Sequence, residues 1–205
     1  MLAYLFWHRP LDPAGVEAYE QAQLAFHRSL ARSRPMGMSG SASFRVPEIP
    51  WLGSPPGGAD QPGAPVLGYE DWYLVEDYTA LGVLNEAAVG RGHRTPHDDA
   101  ARRFGGGAGG LYALIEGERS DLLSATASLA VWVHRPPGSE RRPLGEMLGD
   151  GMDPSCASLW RRQLVFGPAP EFCLLAGEAP PGVAPARLPD GWSATTLQRE
   201  CLWSG

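Results

Sequence analysis

The sequence predicts an α+β fold made of two diverged copies of one strand, helix, strand, strand, helix, strand unit. Three observations carry that expectation. The hexapeptide Leu5-Phe6-Trp7-His8-Arg9-Pro10 near the start returns as Val131-Trp132-Val133-His134-Arg135-Pro136 in the second half, and an internal repeat sets the architecture before individual elements are assigned. Two later segments match in the same order: Ser41-Ala42-Ser43-Phe44-Arg45 is answered by Cys156-Ala157-Ser158-Leu159-Trp160, and Trp72-Tyr73-Leu74-Val75 by Phe172-Cys173-Leu174-Leu175. Finally, the 26 glycines and 20 prolines among 205 residues call for long or numerous loops, because neither residue suits the interior of a helix or strand.

Taken in order, each half opens on an apolar strand and closes on another, Leu111 to Glu116 in the first and Ser193 to Leu202 in the second. Asp12-Pro13 places an N-cap acceptor before proline at the first helical position, so a helix is expected to about Arg32. Val16, Tyr19, Gln23, Phe26 and Leu30 recur every three or four residues, a stripe that covers a sheet. A second helix is expected over Thr79 to Val89 with Leu81, Leu84 and Ala88 inward. A third starts at Thr95-Pro96-His97-Asp98, with Thr95 and Asp98 at capping-box spacing, and stops at Gly105. The glycine run Gly105 to Gly110 comes after a helix and precedes a strand, the reverse of a phosphate-binding loop, and is read as a helix stop with a flexible turn. In the second half Pro143 to Asp150 has room for two helical turns, and Pro180 to Pro189 is too proline-rich for a helix. Pro47 to Gly68 forms a long loop, read either as a lid over a cavity or as a mobile insertion without function. The expected domains are 1–120 and 121–205.

A formal net charge of -6 opposes a phosphate backbone, which excludes nucleic acid as the expected partner. All 17 basic residues are arginine, a compositional bias. No stretch approaches the roughly 18 apolar residues of a membrane span. Cys156, Cys173 and Cys201 are widely spaced and odd in number, which suits reduced thiols and a cytoplasmic location. His93, His97, Asp98 and Asp99 cluster in sequence, but Pro96 interrupts the helical spacing of the two histidines and no distant ligand is evident, so no metal site is expected.

The element order resembles the dimeric α+β barrel superfamily, in a tandem-repeat form with two ferredoxin-like βαββαβ repeats and antiparallel sheets, the helices better kept in the N-terminal half. This superfamily includes muconolactone-isomerase-like proteins, cofactor-independent quinone-forming monooxygenases and a haem-binding group. The resemblance rests on element order across nearly the whole chain and not on a motif. It implies a pocket between sheets, on the face away from the helices. The helix-poor second half leaves apolar sheet that a second copy would cover, so a homodimer is the expected assembly.

Alternation along a strand places Ala3, Leu5 and Trp7 on one face and Tyr4, Phe6 and His8 on the other. The aliphatic set is expected under the helices. The aromatic set would line the pocket, giving Tyr4, Phe6, Trp132, Trp72 and Arg45 as ligand-binding candidates for an apolar or aromatic small molecule. His8 and His134, equivalent in the two halves, and Glu76 at a strand end are the candidate catalytic groups, since a neutral imidazole or a desolvated carboxylate can act as a base. The functional expectation is small-molecule binding, or cofactor-independent oxygenase or isomerase chemistry, with no cofactor. The alternatives are a non-catalytic structural or oligomerisation module and, more weakly, a haem binder. No constellation in the sequence selects one reaction.

Overall fold

Strong alternation in the first strand, aromatic on one side and aliphatic plus indole on the other, allows both faces of the sheet to be buried. The computed structural model describes residues 1–53, 67–90, 92–117, 127–139, 156–165, 169–178 and 188–205. The chain divides into two compact units, one comprising Met1–Leu111, Leu164–Ala169 and Glu200–Gly205 and the other Tyr112–Gln163 and Pro170–Arg199. No described helix is long and apolar enough to cross a membrane.

The first unit contains β1 (Leu2–Pro10), α1 (Val16–Arg32), β2 (Met38–Val46), β3 (Gly68–Val75), α2 (Tyr78–Val89), α3 (Arg94–Ala101), the part of β4 (Phe104–Gly117) up to Leu111, and β9 (Glu200–Ser204). Its strands lie in the order β4-β1-β3-β2-β9. The β1/β3, β2/β3 and β2/β9 pairs are antiparallel, and the register sets Tyr4 opposite Tyr73, Phe6 opposite Asp71 and His8 opposite Tyr69.

Local chemistry explains the helices. Asp12 Oδ1 accepts from the Ala14 amide at 2.9 Å, starting a 3-10 turn over Pro13–Gly15 that leads into α1. The buried stripe of α1 is Tyr19, Gln23, Phe26, His27 and Leu30, so a polar line at every fourth position runs beside the apolar groups. Asp77 Oδ1 caps α2 by accepting from the Ala80 amide at 2.9 Å. The capping box expected at Thr95 and Asp98 is not formed. α3 begins one residue earlier, with His93 at its cap position; this imidazole pairs with Ser29 Oγ at 2.7 Å and the Ser33 carbonyl at 3.0 Å, tying α3 to the end of α1.

The glycine run is strand, not a flexible turn. A Cβ at Gly105 or Gly107 would stand 2.4 Å from the Pro10 carbonyl oxygen or 2.3 Å from that of Trp7, so bare backbone lets β4 lie against β1. Leu11 extends the contact by donating to the Arg103 carbonyl at 2.8 Å.

The second unit holds β5 (Leu129–His134), the part of β6 (Cys156–Val165) up to Gln163, β7 (Phe172–Ala176) and β8 (Ser193–Gln198), in the order β8-β5-β7-β6 with antiparallel pairs. Its core gathers Val131, Val133, Leu159, Phe172, Leu174 and Ala176, with Leu188, Trp192 and Ala194 packed against it.

These observations overturn the expected pair of ferredoxin-like βαββαβ repeats. The described residues form nine strands, mostly in antiparallel ladders, and only three α-helices. None of the helices belongs to the second unit. The expected last strand, Ser193 to Leu202, is two strands: the Arg199 amide donates to the Ser128 carbonyl at 2.8 Å and its guanidinium to the Ala127 carbonyl at 3.2 Å. Beyond that anchor β9 pairs with β2, Glu200 opposite Arg45. The Pro143 to Asp150 segment, residues 180–187 of the Pro180 to Pro189 segment and residues 54–66 of the expected lid loop lie outside the described residues.

Glycine substitutions test the β4 packing. Gly107→Ala is expected to destabilise the protein by about 1–3 kcal/mol, the usual cost of forced overpacking. Gly82→Ala, in open space within α2, is expected to stabilise it by about 0.5–1 kcal/mol. Urea denaturation of the two variants would show opposite signs; equal effects would contradict the packing described.

Candidate functional site

The helix-facing side of the β1/β3/β2 sheet carries an unusual concentration of polar groups. Asp71, at the centre of β3, is 1% exposed, and His8 and His27 beside it are fully buried. His8 Nε2 stands 3.0 Å and His27 Nε2 3.3 Å from Asp71 Oδ2. The Tyr73 hydroxyl donates to the same oxygen at 3.2 Å. Behind the histidines, His8 Nδ1 pairs with the Tyr19 hydroxyl and His27 Nδ1 with Ser41 Oγ at 2.9 Å. Tyr69 stacks on His8 at 5.5 Å and 8°, and Tyr73 on His27 at 5.2 Å and 5°. Asp71 Oδ1 has no hydrogen-bond partner among the described residues.

Burial alone would push the Asp71 carboxyl up, but the adjacent His8 and His27 imidazoles outweigh it and hold the group well below the usual carboxylate range. Burial, then the Asp71 charge, pushes the phenols of Tyr4, Tyr19 and Tyr73 upward. The site is thus a carboxylate set among neutral phenols, with imidazoles as its neighbours.

Asp71 forms part of the wall of an open-mouthed cavity of about 700 Å³ lined by the first unit. Its floor is Tyr4, Phe6, Asp71 and Tyr73 from the sheet; Gln23 and Phe26 come from α1, Leu84 and Asn85 from α2, and His97 and Ala100 from α3. Tyr78, Val89 and Leu164 combine a place on the wall with 61%, 47% and 48% exposure, so the rim is apolar. Gly109 makes room for Tyr4: a Cβ there would lie 2.9 Å from the Tyr4 hydroxyl.

The structure brings only some of the expected residues together. Tyr4 and Phe6 line the cavity, and His8 is one shell behind Asp71. The face assignment is reversed: the aromatic face lies under the helices, and the cavity is on the helix side of the sheet and not on the face away from it. Trp72 is on the opposite face, where its Nε1 donates to Glu70 Oε1 at 2.7 Å and Trp7 Nε1 to Glu70 Oε2 at 3.2 Å. Arg45 is engaged by Glu20 at 2.7 Å and Glu200 at 2.5 Å, so its fork is committed within the protein. Glu76 is exposed. His134 and Trp132 belong to the second unit, where His134 is exposed and Trp132 is buried edge-on to Tyr112 at 5.6 Å.

Sequence reasoning missed Asp71, His27 and His97. The repeat segment Trp72-Tyr73-Leu74-Val75 leaves out Glu70 and Asp71, two adjacent acids amid aromatics that mark an earlier strand start. For His27 the signal was its place four residues beyond Gln23 and eight beyond Tyr19 on the covered side of α1. His97 stood out only as a member of the His93 to Asp99 cluster weighed for a metal, and nothing local places it on the cavity wall.

Removing the carboxylate should expose its structural role. Asp71→Asn is expected to cost about 3 kcal/mol at neutral pH, because breaking a buried charge pair leaves its partners uncompensated. The folded carboxyl is held below its unfolded value of about 3.9, so its stabilisation is present above that pH and fades as pH falls toward the folded value. The gap between wild type and variant in urea melts should therefore narrow below about pH 4. A gap that is constant with pH would contradict an ionised Asp71.

No family model matches the chain, and no curated protein matches it. Among solved structures it is similar to a crystal structure of an anthrone oxidase-like protein, at 12% identity and a TM-score of 0.53, covering 100% of this chain and 92% of that one. At this identity the likeness concerns the fold.

Proposed function

We propose that the first unit binds a flat aromatic compound in its helix-side cavity and that the His8–Asp71–His27 group accepts a proton from it, preparing the resulting anion for cofactor-independent oxidation by dioxygen. The observation that carries this reading is the buried Asp71 on the cavity wall, with Oδ2 held by two imidazoles and Oδ1 without a protein partner among the described residues.

A carboxylate and the imidazoles touching it titrate as one unit. A proton received at the carboxylate is shared within that unit, since His8 Nε2 and His27 Nε2 stand 3.0 Å and 3.3 Å from Asp71 Oδ2. The apolar wall and the neutral phenols suit an aromatic body, and a few convergent polar groups in an apolar pocket are the usual make-up of a small-molecule site. Haem ligation at His8 fits poorly, because both of its ring nitrogens are occupied by Asp71 and Tyr19.

The fold likeness to an anthrone oxidase-like protein makes anthrone a suitable probe. Its methylene yields a proton to the Asp71 group, and the enolate is then oxidised by dioxygen. One oxygen atom becomes the new carbonyl and the other leaves as water with the two methylene hydrogens.

The wild-type protein is expected to consume dioxygen with anthrone and form anthraquinone. Asp71→Asn should slow this at least a hundredfold, the usual scale of general-base catalysis. An oxygen electrode together with anthraquinone absorbance reads both quantities. A variant as fast as wild type would rule out the Asp71 group as the base.

A further inference from the structure

Asp71 is buried at the cavity wall, and the same wall carries one imidazole of a different kind. His97, on α3, lines the same cavity and meets Phe26 edge-on at 5.5 Å and 73°. Its side chain is 33% exposed, against 1% for Asp71. His97 Nδ1 lies 3.1 Å from Asp98 Oδ1, and Asp98 is paired in turn with Arg94 at 3.5 Å. A carboxylate on one ring nitrogen fixes the orientation of an imidazole and leaves the other nitrogen for a ligand. His97 Nε2 has no hydrogen-bond partner among the described residues.

We propose that His97, oriented by Asp98, is a second ligand-contacting group of this cavity, which hydrogen-bonds an oxygen of the aromatic ligand and exchanges protons with solvent. The inference rests on the proposed aromatic-binding role of the cavity and adds a substrate class: an aromatic compound with a proton donor directed to Asp71 and a carbonyl or hydroxyl oxygen directed to His97.

The surrounding charges support that role. Asp98 and Arg94 share its helix; Asp71, Tyr4 and Tyr73 on the sheet and Tyr78 on α2 share its cavity wall. Burial pushes the Tyr4 and Tyr73 phenols upward, and the imidazoles hold the Asp71 carboxyl down. Imidazole is the side-chain type that exchanges a proton near neutral pH, and His97 is the one imidazole on this wall among the described residues. In its protonated form it donates a charge-assisted hydrogen bond, stronger than a neutral one.

Anthraquinone, which has carbonyl oxygens but no methylene proton to give, isolates this contact from the chemistry. Its binding would be measured by reverse titration calorimetry from pH 5 to pH 8, in two buffers of different ionisation heat, on wild type, His97→Gln and Asp71→Asn. Wild type is expected to bind about tenfold tighter at pH 5 than at pH 8, on the strength of a charge-assisted bond, with proton uptake on binding. His97→Gln should still bind, with affinity flat within about twofold across that range and no uptake, because glutamine retains a donor but not the titration. Asp71→Asn should keep the uptake. Binding by wild type with the same pH dependence in His97→Gln would overturn the role of His97 and leave the aromatic-binding role of the cavity standing. Failure of wild type to bind would overturn both.

Discussion

The Asp71 carboxylate between two imidazoles is the constraint around which the first unit is arranged. Taking a carboxylate out of water costs several kcal/mol unless partners replace the lost solvation, and no partner here is adjacent in sequence. His8 comes from β1, His27 from α1 and Tyr73 from β3 itself, while Tyr19 and Ser41 hold the histidines from behind. The network therefore fixes α1 over three strands. Tyr19 and His27 are eight residues apart, about 12 Å along a helix, and reach partners on β1 and on β2, two strand spacings or roughly 10 Å apart. A helix lying obliquely across β1, β3 and β2 satisfies both contacts; a one-residue rotation would satisfy neither.

The opposite face of the same sheet answers a similar problem differently. Glu70 is buried next to Asp71 in sequence, and two indole N–H groups meet its two oxygens. One strand thus carries consecutive carboxylates, one met by imidazoles under the helices and the other by tryptophans on the reverse side. That division gives the two faces distinct chemistry. Groups able to exchange protons adjoin the cavity, whereas the Glu70 face is held by donors that do not titrate.

The glycines of β4 supply the third condition for the site. Gly105 and Gly107 let the strand lie against β1, and Gly109 leaves space for the Tyr4 ring on the cavity floor. Phe104 at the start of the run packs on Phe6 at 5.3 Å. A side chain at Gly109 would displace Tyr4 before it disturbed any catalytic candidate, so the shape of the cavity depends on residues with no chemistry of their own.

The sequence by itself determined those features that depend on neighbours along the chain. Asp12-Pro13 starts a helical segment where the Asp12 side chain caps a following amide, and the spacing of Tyr19, Gln23, Phe26 and Leu30 identified the covered side of α1. Alternation correctly separated Tyr4 and Phe6 from Leu5 and Trp7, because that period is a property of the strand alone. It did not say which set the helices cover, and the expected assignment was reversed. Tertiary structure decided that, since both sets are apolar enough to be buried. It also decided that a glycine run is strand, that Arg199 divides the last strand in two and sends β9 to β2, and that Asp71, His8 and His27 meet. Each of these depends on partners far away in the chain. A local pattern carries no information about such partners until the chain has folded.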